Sequence, residues 1–429
     1  MKKTYIPRLF DEILRFALES KGAVLVVGPK WCGKTTTCAR HAKTIIELLP
    51  LKTRSQIIEF AKNAPDLFLN QGEKPILIDE WQLIPFIWNE IKIQVDKNCE
   101  FGEYILTGSV TNKLSSSISA DGLDEHTGNG RICRKMMRTL SLYESGESNG
   151  TISLSSLKNG NFKFGACEKN IFDYAFYICR GGWPLSIGES EKVALAQAYY
   201  YFEILYQDDL FTFKDLAIRK NILTSQKILR SYARNIGTQC PDSTIINDAN
   251  IDVKTFEKYF SALERLFVID EVLARNTNLR SKTAIRTKNT RYFIDPSIAV
   301  ASLGLTPQSI FKDMKLFGFL FESLAIRDLK IYASVIDASI YHYRDSLGRE
   351  CDAVIVYRDG EFGLIEIKLG DDDDIEEAAS NLKKIKDDLI EQPAYLMVIT
   401  KNKYAYKRGD DVYVVPLGCL KPWFLYGQK

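Results

Sequence analysis

Ala23-Val-Leu-Val-Val27 leads straight into Gly28-Pro29-Lys30-Trp31-Cys32-Gly33-Lys34-Thr35, and a helical stretch opens at Thr36. The first of these is a short, continuous apolar run, the pattern of a strand buried on both faces of a parallel sheet. The second fits G-x-x-x-x-G-K-[ST] between a strand and a helix, the context in which backbone N–H groups curl around a phosphate at a helix N-terminus. Gly28 and Gly33 give the loop its conformational freedom. Lys34 is expected to reach the β- and γ-phosphates and Thr35 to offer a hydroxyl to Mg²⁺. Pro29, Lys30, Trp31, Cys32 and Thr36 complete the binding set. A chance match in a tight strand–helix turn is the competing reading, and the agreement of strand, loop and helix speaks against it.

The surroundings supply what such a loop needs. Arg8 to Ser20 carries Leu9, Ile13, Phe16 and Ala17 at helical spacing. Ile76-Leu77-Ile78 is a second apolar run and ends at Asp79-Glu80; Tyr104-Ile105-Leu106 is a third and ends at Thr107-Gly108-Ser109. Asp79 at a strand end can hold Mg²⁺ through water, and Glu80 can orient or deprotonate the attacking water. Thr107 or Ser109 can place a hydroxyl near the γ-phosphate, although a strand-ending turn explains them equally well. Short buried strands separated by helices predict an α/β domain with a parallel sheet. Ser109 to Gly130 is polar and reads as a long loop, Arg131, Arg134, Lys135 and Arg138 form a basic cluster, and Ser145 to Asn161 reads as a polar insertion.

Composition bounds the rest. A chain of 429 residues holds roughly three domains at about 150 residues each, taken here as 1–210, 211–300 and 301–429. With 57 Lys and Arg against 55 Asp and Glu the net charge is +2, so any nucleic-acid surface must be local. No apolar run approaches the ~20 residues of a membrane span, and the start has no leader-like core. Nine scattered cysteines without a C-x-x-C pair fit a reducing compartment, hence a cytoplasmic expectation. Three distant histidines, His41, His126 and His342, make a zinc site a poor expectation; Mg²⁺ suits the carboxylates better.

Together these residues resemble the AAA-type ATPases, and more closely a prokaryotic family that joins such a module to a C-terminal domain of unknown function. The resemblance spans nearly the whole chain: Tyr5-Ile6-Pro7-Arg8, the phosphate loop, IDEWQLIP at 78–85, ILTGS at 105–109, Gly130-Arg131 and Gly181-Gly182-Trp183-Pro184. It implies ATP and Mg²⁺, with Arg131 as an arginine finger toward a neighbouring subunit or, more plainly, an ion-paired cation. A homo-oligomer or a protein partner is therefore expected alongside ATP. Lys30 stands where the family usually has Arg, and the strand before Asp79-Glu80 reads weakly, at Thr44 to Leu48.

Farther on, Thr224–Ile236 and Asp252–Leu266 are amphipathic helical patterns, the second capped by Asp252. Leu266–Ala274 and Tyr292–Ile294 read as strands around a loop with Arg275, Arg280, Lys282, Arg286, Lys288 and Arg291 and no acidic residue. Two helices and a strand–loop–strand outline a winged helix, which the resemblance also implies. Its cations suit DNA phosphates, while a solvated loop, or one docked on the protein itself, is the alternative.

In the C-terminal third, Glu322 sits among apolar neighbours of a helix, and two strand-like runs carry Asp352 and Glu366-x-Lys368. This order resembles the PD-(D/E)XK nucleases, in which Asp352 and Glu366 would hold Mg²⁺ and Lys368 would position a water, with Glu322 as the helix acid. A structural ion-pair network on a retained fold is the other reading. Asp352 and Glu366 oppose each other only if Arg358-Asp359-Gly360 forms a three-residue loop, and that register is the expectation. His342 reads as a strand-surface residue. The whole predicts a P-loop ATPase domain, a helical winged-helix middle and a mixed α/β nuclease-like domain, with ATP controlling the last. A nucleotide-controlled switch or scaffold with an inert nuclease-like domain is the alternative.

Overall fold

In the computed structural model, which describes residues 4–108, 130–213, 216, 221–275, 288–345 and 348–422, the apolar runs become a parallel sheet. In chain order the first unit is α1 (Leu9–Ser20), β1 (Ala23–Val27), α2 (Lys34–His41), β2 (Thr44–Glu47), α3 (Leu51–Asn63), α4 (Pro65–Leu69), β3 (Ile76–Asp79), α5 (Ile87–Asn98), β4 (Tyr104–Thr107) and β5 (Ile132–Met136). The strands order as β2-β3-β4-β1-β5, all parallel. Every residue of β1, β3 and β4 is buried, because helices cover both faces. β2 is the sheet edge and half exposed, which is why its apolar signal is weak.

Two small strands and a helix follow: β6 (Ile152–Ser153), α6 (Leu154–Lys158) and β7 (Gly165–Ala166). The polar stretch 145–161 is therefore not a loose insertion. Ile152 and Leu154 are buried, β6 pairs with β14 (Leu420–Lys421) and β7 with β12 (Tyr404–Lys407), both near the far end of the chain.

The middle is helical: α7 (Ile171–Arg180), α8 (Glu191–Gln207), α9 (Ile222–Arg234), α10 (Asp242–Ala249), α11 (Val253–Arg265) and α12 (Pro296–Leu303). Asp252 caps α11 by accepting from Thr255 N–H at 2.9 Å, as expected. Between α11 and α12 the expected strands are reduced to isolated bridges, Ile269 with Phe293 and Val272 with Thr290.

The last unit is α13 (Met314–Val335), β8 (Ala338–Arg344), β9 (Glu350–Tyr357), β10 (Phe362–Lys368), α14 (Asp372–Asp387), β11 (Tyr395–Thr400), β12, β13 (Val412–Pro416) and β14. Its mixed sheet has the order β7-β12-β13-β11-β10-β9-β8. Alternation sends Ala353, Ile355, Ile365 and Ile367 into the core shared with α13, and Val354, Val356 and Leu364 into the core shared with α14.

A buried polar hub ties the three units together. The Asp295 carboxylate, fully buried, accepts from Thr139 Oγ1 (2.9 Å), Gly182 N–H (2.9 Å) and Arg327 Nη1 (3.0 Å). Asp328 accepts from Leu142 N–H at 2.9 Å and pairs with Arg327 at 2.8 Å. Arg327 and Asp328 lie on α13, which also carries Glu322.

Candidate functional site

The phosphate loop needs both of its glycines. Gly28 has φ +149°, and a Cβ there would stand 2.1 Å from Met137 O; Gly33, at φ +97°, enters α2 from the left-handed region. Lys34 Nζ lies across the loop, donating to Gly28 O (2.9 Å) and Pro29 O (2.8 Å). Thr35 Oγ1 donates to Asp79 Oδ1 at 3.1 Å, so the two groups expected at Mg²⁺ converge. Burial, and then the neighbouring Glu80 charge, hold the Asp79 carboxyl above its ordinary range, opposed by the Thr35 bond. A cation with charge to match would reverse that balance. Beside Gly33 and Thr36 opens a cavity of about 590 Å³, walled by Tyr5, Ile6, Pro184 and Leu185, roomy and apolar enough for a nucleoside. The donor set and the adjoining cavity thus fit a Mg²⁺-nucleotide.

The side chains of the loop tip turn elsewhere. Lys30 Nζ pairs with Asp209 at 2.5 Å, and the Trp31 ring meets Tyr201 edge-on at 5.7 Å, Tyr201 in turn stacking on Trp183 at 4.2 Å. Lys30 and Trp31 can thus serve phosphates through their backbone N–H groups, while their side chains grip the helical unit. Cys32 O accepts from Arg8 Nη1 at 2.8 Å. The same buried guanidinium reaches Arg138 O (2.8 Å), Thr139 O (3.2 Å) and Glu144 (3.0 Å), bracing the loop from behind. Ser109 lies outside the described residues. Thr107, the register partner of Asp79, has a buried hydroxyl with no hydrogen-bond partner among the described residues. Arg131 stands elsewhere: β5 runs parallel to β1 with Ala23 beside Ile132. It therefore lies at the opposite sheet end, roughly 13 Å of strand from the loop. There it pairs with Asp96 at 2.5 Å, outside this chain's own phosphate pocket.

A second cluster sits on the mixed sheet. Tyr357 N–H donates to Glu361 O at 2.9 Å, so Arg358-Asp359-Gly360 is a three-residue loop with Gly360 at φ +93°. The paired register runs from Phe362–Val356 to Ile365–Ala353 and ends one position short of Glu366 and Asp352. Lys368 Nζ pairs with Glu366 Oε2 at 2.8 Å and lies 3.7 Å from Asp352 Oδ2. Asn381 donates to Glu366 at 2.7 Å, and Ile367 N–H to Asp352 at 2.7 Å. Glu322 approaches from α13 and accepts from the Tyr292 hydroxyl. Burial, then the Asp352 charge, pushes Glu366 up to about 8 against the pull of Lys368, and the same two causes raise Glu322 well above its usual range. Burial works against the Lys368 ammonium, yet Asp352 and then Glu366 hold it above its ordinary value. The four side chains converge, but among the described residues no group of three or more His, Cys, Asp or Glu is arranged to hold a metal ion. Asp352 and Glu366 are partnered by Lys368 instead.

Two expectations need correction. Arg291 is not a wing cation: it is buried, paired with Glu271 (3.1 Å) and Asp242, and donates to Cys240 O (2.7 Å). Folding consumes its charge. His342 is buried rather than on the strand surface. Between the pairs Tyr341–Val354 and Tyr343–Cys351, Asp352 and Ala353 face His342 alone, a bulge of the kind that re-aims a side chain. Arg275 lies over the Tyr341 ring at 5.4 Å and Lys288 is exposed; Arg280, Lys282 and Arg286 fall outside the described residues.

Strand, loop, paired acid and helix occupy one continuous segment. Residues 20–145 match the AAA domain family. That AAA match supports ATP binding and hydrolysis by the N-terminal unit. Residues 171–309 and 317–420 match two further families, DUF8612 and DUF4143, each described as a domain of unknown function. Among solved structures, the Walker-type ATPase PABY2304 of Pyrococcus abyssi is similar at 16% identity, over 70% of this chain and 96% of that one, with a TM-score of 0.41. No curated protein matches the chain. Among the described residues no helix is long and apolar enough to cross a membrane.

Sequence reasoning missed several participants. Tyr5 to Arg8 and Pro184 stood out only as parts of a resemblance, although they wall the cavity or brace the loop. Asp209 and Tyr292 carried no local signal, since their partners lie 179 and 30 residues away.

Proposed function

We propose that the chain is a Mg²⁺-dependent ATP hydrolase whose nucleotide cycle governs its C-terminal, nuclease-like unit, with DNA as the macromolecular partner. The observation that carries the hydrolase reading is the Thr35–Asp79 hydrogen bond beside Lys34. Lys34 and the loop N–H groups bind the triphosphate, Thr35 and Asp79 hold Mg²⁺, and Glu80 takes a proton from the attacking water. When bound, Mg²⁺ supplies charge against the phosphates. Control of the C-terminal unit is supported by the buried hub, which joins the segment behind the phosphate loop to α13 and so to the helix that bears Glu322. A DNA role is supported by Arg275 and the exposed Lys288, which flank a stretch of sequence that holds Arg280, Lys282 and Arg286 and no acidic residue; we propose those three as further phosphate contacts. The convergence of Glu322, Asp352, Glu366 and Lys368 supports a nuclease-like site, with Asp352 and Glu366 as the Mg²⁺ ligands.

The decisive experiment measures ATP binding by calorimetry and ATPase rate with and without double-stranded DNA. Wild-type affinity in Lys34→Ala sinks the nucleotide assignment, and a rate indifferent to DNA removes the DNA role. One observation favours a second reading. Because Lys368 already pairs with Glu366 and lies beside Asp352, the cluster suits a structural network in a nucleotide-controlled switch or scaffold. Mg²⁺-dependent cleavage that disappears in Lys368→Ala excludes it.

A further inference from the structure

Gln82 is buried, only 3% exposed, two residues beyond Glu80. The chain leaves β3 with Glu80 in the left-handed region, at φ 60° and ψ 40°. It turns at once through Trp81–Leu83, where Leu83 N–H donates to Glu80 O at 3.0 Å. Trp81 packs on Trp88 with ring centroids 5.1 Å apart and anchors the turn. The reversal brings Gln82 back to its neighbour, and its Nε2 donates to Glu80 Oε2. With the amide nitrogen facing Glu80, the orientation of the whole amide follows.

Gln82 Oε1 therefore points away from Glu80, buried and with no hydrogen-bond partner among the described residues. It lies against Gly108, where a Cβ would stand 2.0 Å from Oε1 and 3.1 Å from Glu80 Cα. Gly108 is not left-handed, so space rather than backbone angle calls for glycine there. A side chain at 108 would drive the Gln82 amide off Glu80. An unmatched buried acceptor is unfavourable, and a water in the reaction would satisfy it.

We propose that Gln82 is a positioning residue for ATP hydrolysis: Nε2 fixes the Glu80 carboxylate, and Oε1 accepts a hydrogen bond from the water that Glu80 deprotonates. The inference rests on reading Glu80 as the base. In the reaction the water oxygen bonds to the γ-phosphorus and the bond from that phosphorus to the β–γ bridging oxygen breaks. ADP leaves with the electron pair, and the water proton passes to Glu80. Gln82 exchanges no proton; it keeps the carboxylate and the water in register.

The test uses the full chain and the variants Gln82→Leu, Gln82→Ala, Gly108→Ala, Gly108→Ala/Gln82→Ala and Glu80→Gln. Gln82→Leu and Gly108→Ala are each expected to lower kcat roughly 10- to 100-fold, the scale of a misplaced reacting group, with KM for ATP within about twofold. Without nucleotide, Gly108→Ala should lower the Tm through its clash with Gln82, and the double variant should recover most of that loss relative to Gln82→Ala. A kcat for Gln82→Leu within about twofold of wild type, while Glu80→Gln is inactive, overturns the proposal, as does a double variant with no recovery. Wild-type turnover by Glu80→Gln defeats the reading of Glu80 itself, and the role of Gln82 with it.

Discussion

Lys34 and Lys368 are the cations of two acid-bearing sites at strand ends of two different sheets, and they are partnered in opposite ways. Lys34 meets two neutral carbonyl oxygens and no carboxylate among the described residues, so its charge is left to be matched by a ligand. Lys368 is flanked by Glu366 and Asp352 and is matched from within. The first arrangement binds an anion without giving up an ion pair. The second must give up the Lys368 pairing, which is half-buried, before Asp352 and Glu366 can serve a cation. Similar residues therefore make a ready binding site on one sheet and a self-contained one on the other.

The sharpest way to break this contrast is to remove the proton acceptor of the first site. Glu80→Gln is expected to reduce kcat by about 10²- to 10³-fold while leaving ATP affinity unchanged, since only the general base is lost; steady-state kinetics beside calorimetry check both halves. Lys34→Ala should instead weaken ATP binding, by at least about tenfold for a charge-assisted contact. At the second site, Lys368→Met should abolish any Mg²⁺-dependent cleavage seen on gels. Intact ATPase activity with no cleavage by the wild type would assign the second site to structure alone.

Behind the first site, Arg8→Leu strands the buried Glu144 carboxylate and should cost about 3–5 kcal/mol, read by chemical denaturation. The smallest effect belongs to the wing. Lys288→Ala should shrink the slope of log K against log salt for DNA by up to about 0.9. Arg291→Ala should lower the Tm without touching that slope.

Legibility followed distance along the chain. The phosphate loop and Asp79-Glu80 were readable because strand, loop and helix are contiguous, and the Glu361 hairpin because a three-residue loop fixes its own register. β2 was faint because half of an edge strand faces water. Arg8 was invisible as a brace because its partner Glu144 lies 136 residues away, and local patterns do not report such pairs. Arg291 looked like its neighbours in a basic run; only the fold shows that Glu271 and Asp242 neutralise it. Gln82 did leave a trace, a Gly at 108 whose backbone is not left-handed, but its meaning needs two strand ends side by side.

The pairing of β6 and β7 with β14 and β12 has a consequence for how the chain is made. The first sheet is complete in sequence by Met136, early in synthesis. The next two strands, at 152–153 and 165–166, find their partners only at residues 420–421 and 404–405. They wait, unpaired, through the translation of the entire helical middle, and sheets closed by such distant contacts form slowly. A fragment cut at the border between the second and third family matches would leave β12 and β14 without these partners. Dissection of the molecule should follow the pairing of strands rather than the order of residues.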